Sequence, residues 1–144
     1  MPATSATTST APIPTTRNML FNVLLGLTAL AVLLQALWAG IFLEHDGERD
    51  AASSWIDVHA RGGDIAIGLA LLATIVAVVK LRSRRDLWVG SLVLTVLLVL
   101  EAYIGGLIVD DSKDTLTAVH VPLGMAIMAA VVWLPLRARA ARTV

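Results

Sequence analysis

Residues 87–109 read LWVGSLVLTVLLVLEAYIGGLIV, an apolar run broken by a single charge, Glu101. No alternation of apolar and polar residues runs through it, so it does not read as a strand of a barrel. As a helix rising 1.5 Å per residue it reaches about 34 Å, enough to cross the hydrocarbon core of a bilayer. Lipid offers the backbone no hydrogen-bond partners, so a helix is the form such a segment must take.

Three similar segments flank it. Residues 19–43 form an apolar run far longer than the hydrophobic core of a signal peptide. Residues 56–79 carry Asp57, His59, Arg61 and Asp64 early on and are then apolar apart from Thr74. Residues 116–136 hold His120 and Pro122, and the proline is expected to adjust the first turns of that helix. The expected fold is therefore all-α, an integral membrane four-helix bundle over residues 17–137. Residues 1–16 (MPATSATTSTAPIPTT) have no charge and little to bury, and read as a disordered tail. Residues 138–144 read as a basic tail.

Composition points the same way. Of the 144 residues 57% are hydrophobic and only 15% charged, against about a quarter charged in soluble domains. The mean hydropathy is +0.79. The formal net charge is zero, so no basic field invites nucleic acid. Cysteine is absent, which excludes disulfides, thiolate metal sites, iron–sulfur clusters and c-type haem attachment.

The connecting segments separate by charge. Lys80, Arg82, Arg84 and Arg85 join the middle helices, Arg17 precedes the first, and Arg137, Arg139 and Arg142 follow the last. The other two loops carry Glu44, Asp46, Glu48 and Asp50, and Asp110, Asp111 and Asp114. The Lys/Arg bias predicts a multi-pass protein of the cell's inner (plasma) membrane with both termini cytoplasmic.

The two halves of the chain repeat one another. Residues 35–43 (QALWAGIFL) align with 101–109 (EAYIGGLIV), and residues 58–63 (VHARGG) with 119–124 (VHVPLG). Two helical hairpins in the same orientation, related by a rough two-fold axis along the membrane normal, follow from this. Such a repeat sets paired residues at one depth around a shared centre. On each helix the polar residue has a small residue four positions on, hence on the same face: Gln35 with Ala39, His59 with Gly63, Glu101 with Gly105, His120 with Gly124. Small residues leave room for a close helix or a flat ligand. Asp57, Arg61 and Asp64 fall on the opposite face of their helix, with Asp57 and Arg61 spaced for an i,i+4 pair.

Neutral imidazole is a good axial ligand for haem iron, and two from facing helices of a bundle complete a six-coordinate site. His59 and His120 are the candidate ligands, with Gly63, Gly124 and Gly105 as flat neighbours and Gln35 and Glu101 beside them. The competing reading is that a histidine near a helix end meets headgroups or water. His45 has no repeat partner and reads as a solvated loop residue. Zinc held by both histidines and Asp57 is disfavoured, because Asp57 points away from His59 on a helix. Glu101 lies about 12 Å from its helix end, where a charge must be protonated, paired or water-linked. It either relays a proton or tunes the site, or it hydrogen-bonds Gln35 and holds the bundle together. Trp38, Trp55, Trp88 and Trp133 read as interfacial anchors and packing.

A helix ending EAYIGGLIV, a short loop, then Ala118, Val119 and His120 opening the next helix resembles one half of haem A synthase. The chain also resembles small bacterial four-helix membrane proteins with the same two-histidine plan. The likeness runs over about residues 34–128. In haem A synthase, eight helices form two four-helix halves, each with histidines at the outer ends of its second and fourth helices around a haem. The resemblance thus implies haem b held by His59 and His120. This chain is one half in length. It has Asp57 rather than a glutamate shortly before the first histidine, and no loop cysteines. Those departures count against oxidation of a haem methyl group by a dimer of halves, and favour a haem-holding role in electron transfer or haem handling. A homodimer or a larger membrane complex is compatible with that role. The alternative expectation is a non-haem four-helix subunit or assembly factor whose polar residues serve packing.

Overall fold

The computed structural model of the chain describes residues 19–44 and 49–140. The expected N-terminal tail, Arg17, His45 and Arg142 lie outside the described residues. Four helices follow in order: α1 (Met19–Leu43), α2 (Arg49–Lys80), α3 (Arg85–Asp110) and α4 (Thr117–Ala140), the last entered through a short 3₁₀ turn, Asp114–Leu116. The all-α, four-helix architecture expected from the sequence is what the chain forms, and the described residues contain no strand. All four helices are long and apolar enough to cross a membrane.

Two boundaries differ from expectation. Helix α2 begins at Arg49 rather than residue 56, and α4 runs to Ala140 rather than 136. Hydropathy marks where a helix leaves lipid, not where its hydrogen bonding ends. Residues 49–55 (RDAASSW) are polar enough to drop out of an apolar run, yet contain nothing that breaks a helix. Helix α4 continues through both Pro122 and Pro135. Helix α3 stops where Ser112 takes a left-handed φ of 54°, and the Lys113 N–H returns to the Leu107 carbonyl at 3.2 Å.

Each helix packs on its two neighbours: α1 on α2 and α4, α3 on α2 and α4. Helices α2 and α4 are therefore diagonal partners across the interior. The buried residues form one stripe per helix: Phe21, Leu25, Thr28 and Val32 on α1; Ala66, Ala70, Ala73 and Ala77 on α2; Leu87, Ser91, Leu94 and Leu98 on α3; Ile127, Val131, Leu134 and Ala138 on α4. Their alternating spacings of three and four are the repeat by which helices interlock at shallow crossing angles. The alanines of α2 let its neighbours approach closely. Among apolar surfaces in lipid, packing of this kind and not the hydrophobic effect is what holds helices together.

All four stripes lie in the half of the bundle that carries the start of α1, the end of α4 and the α2–α3 turn, the basic end. There Asp86 receives both Arg84 (3.0 and 2.8 Å) and Arg137 (3.2 Å), while Arg84 also donates to the Arg137 carbonyl. The turn is thereby tied to the far end of α4. Thr74 and Thr95 meet inside the stripe at 3.0 Å, each also bonded within its own helix, to the Ala70 and Ser91 carbonyls. Outward faces remain apolar: Leu33, Leu72, Val96 and Leu136 are each more than half exposed, as a lipid-facing girdle requires.

Candidate functional site

The other half, the acidic end, has a different interior. Among the described residues only Ala52 and Gly62 are buried there, and the centre is occupied by half-buried polar side chains. Gln35 and Glu101 each stand sixteen residues from the basic-end start of their helix, about 24 Å along it. His59 and His120 lie somewhat farther out on the diagonal helices.

The two imidazoles meet across the interior. Their ring centres are 6.3 Å apart with planes inclined at 63°. His59 Nδ1 lies 3.2 Å from the backbone carbonyl of Gln35. A carbonyl can only accept, so Nδ1 carries a proton, and in the neutral ring Nε2 then keeps its lone pair. Phe42 packs edge-on against the same ring, with centroids 5.6 Å apart. On the other side, His120 Nδ1 stands 3.2 Å from Glu101 Oε1. This contact has ion-pair distance without hydrogen-bond alignment, so His120 Nδ1 is buried without an aligned partner, as separately is Glu101 Oε2. An orphaned buried polar group costs about 1–3 kcal/mol, so a turn of the ring that aligns Nδ1 with Oε1 is favourable. Neither Nε2 makes a hydrogen bond among the described residues.

The glycines are used in a way that the sequence reading only partly anticipated. A Cβ on Gly105 would stand 3.3 Å from His120 Cε1, and one on Gly124 would stand 3.0 Å from Glu101 Oε1. Each polar side chain is thus seated over the glycine of the opposite helix, and these two glycines cradle the Glu101–His120 couple. Gly63 borders open space, with no atom within 4 Å of where a Cβ would stand. Gly62, which the sequence reading passed over, is the tight contact: a Cβ there would collide with Gln35 and Trp38. The available signal was its place at the head of the alanine stripe, four residues before Ala66.

Other expectations come out unevenly. Gln35 and Glu101 do not bond one another among the described residues; Gln35 Nε2 reaches back to the Ala31 carbonyl at 3.4 Å. Asp57, Arg61 and Asp64 are exposed as expected, but the described residues include no Asp57–Arg61 ion pair. No group of three or more His, Cys, Asp or Glu is gathered as a metal cage among the described residues. A porphyrin supplies four ligands of its own, so its iron needs only the histidine pair.

The geometry defines a four-helix bundle of membrane-crossing dimensions with a diagonal histidine pair set into one end. No family model, curated protein or solved structure matches the chain.

Proposed function

We propose that this protein is a b-type cytochrome-like membrane protein that holds one haem between His59 and His120 and serves electron transfer or haem handling. The observation that carries this reading is the separation of the two rings. An imidazole–metal bond of about 2.0–2.1 Å on each side, plus the offset from ring nitrogen to ring centre, sets the centres of two ligands on one ion about 6 Å apart. The rings stand 6.3 Å apart. His59 is held through Nδ1, as ligating histidines generally are. The reading is supported by the clear space beside Gly63 and by the few fully buried residues of the acidic end.

In this arrangement haem supplies the one-electron couple, and the chain's residues bind and orient it. Gln35 fixes the ring of His59 through its carbonyl, Glu101 stands behind His120, and the packed basic half separates the site from the opposite surface. The Lys/Arg distribution supports a cytoplasmic basic end in the plasma membrane, which puts the site near the outer face. A second reading, a non-haem subunit or assembly factor, is favoured by the seating of Glu101 over Gly124 and His120 over Gly105, which joins α3 to α4 with no ligand.

The absorption spectrum of the detergent-purified protein separates the two. Haem binding gives a Soret band with α and β bands on reduction, and His59→Ala or His120→Ala abolishes them while helical circular dichroism is kept. A preparation that stays colourless after haem is supplied leaves the packing reading.

A further inference from the structure

We infer that Glu101 is the positioning residue of the site: its carboxylate accepts the Nδ1–H of His120, fixes the tautomer that presents Nε2, and makes the two imidazoles unequal. The repeat predicts equivalence, because Gln35 and Glu101 occupy matching places. The contacts break it. His59 is backed by the neutral carbonyl of Gln35, whereas His120 is backed by a carboxylate oxygen at 3.2 Å. Both groups of the second couple are largely buried, with side-chain exposures of 20% and 16%. His120 Nδ1 has no aligned partner although Glu101 Oε1 stands beside it. The seat is shaped for this contact, since Gly124 clears the path of the carboxylate and Gly105 clears the ring.

A carboxylate behind an imidazole raises its basicity as a ligand and holds its ring. Stronger donation from the ligand favours the oxidised form of a bound iron, so Glu101 lowers the potential of the site. That consequence rests on the haem reading; the tautomer does not.

Two measurements separate them. In ¹⁵N-histidine NMR of the detergent-solubilised protein without added haem, His120 is expected as the Nδ1–H tautomer. Glu101→Gln retains it, because the amide oxygen still accepts, and Glu101→Leu loses it. An Nε2–H tautomer in the wild type, or a Glu101→Leu spectrum identical to it, overturns the assignment. In the protein loaded with haem b, Glu101→Gln is expected to raise the ratio of reduced to oxidised haem at a fixed poise about tenfold, or ~59 mV for a one-electron couple. A smaller rise overturns the role in setting the potential. If no haem is taken up, the cofactor reading fails and the tautomer result still judges Glu101.

Discussion

At the basic end, Phe21, Leu25, Leu87, Leu94, Ile127 and Leu134 are fully buried or nearly so; the buried polar residues among them, Thr28, Thr74, Ser91 and Thr95, are hydroxyls bonded into their own helices, while the amide oxygen of half-buried Asn22 has no partner. At the acidic end the same four helices enclose Gln35, His59, Glu101 and His120, all half-buried, among apolar residues such as Trp38, Phe42, Ile104 and Leu107 that are no more deeply buried. The helices do not change between the two ends; the side chains on their facing stripes do. Large aliphatics opposite alanines fill the space at one end. At the other, polar residues are seated over glycines. One half of the molecule is built for cohesion, and the other gives up packing to bring two imidazoles together.

This contrast is open to direct attack. The largest effect is expected where packing is densest. Leu94→Ala should lower unfolding stability by about 2–4 kcal/mol through the cavity it leaves, read by denaturation in detergent micelles. A cost below 1 kcal/mol would mean that the basic half is not the cohesive element. Two adjacent glycines give a sharper comparison at the acidic end. Gly62→Ala drives a methyl into Gln35 and Trp38 and should cost about 1–3 kcal/mol. Gly63→Ala borders open space and should be neutral, or stabilising by up to about 1 kcal/mol through helix propensity. Equal outcomes would show that the α1–α2 contact is not where the structure sets it. The smallest effect is expected at the rim. Asp86→Asn weakens contacts with Arg84 and Arg137 that are partly open to water, and the same denaturation assay should register no more than about 1 kcal/mol.

Much of the site was legible along the chain because helical periodicity is strict. Residues four apart share a face, so the pairs His59–Gly63 and His120–Gly124 could be set toward a centre, and the repeat put both histidines at comparable depth. What periodicity cannot supply is the partner. The repeat pairs Glu101 with Gln35, yet its contact is His120 on the next helix. Gly62 and Gly63 are neighbours in sequence, but about 100° apart around the helix; only the direction of α1 decides which one is tight. The tie between Asp86 and Arg137 spans fifty-one residues, and no local pattern announces it.

The sequence by itself determined four apolar helices of bilayer length, their division into two like hairpins, and the charge difference between the ends. These are properties of single segments, fixed by hydropathy, by the backbone's need for hydrogen bonds and by the 3.6-residue turn. The tertiary structure alone decided that α2 and α4 stand diagonally, that the two rings come within 6.3 Å, and that one is backed by a carbonyl and the other by a carboxylate. Those outcomes depend on which stripes interlock, and in lipid that choice belongs to the fit between whole helices.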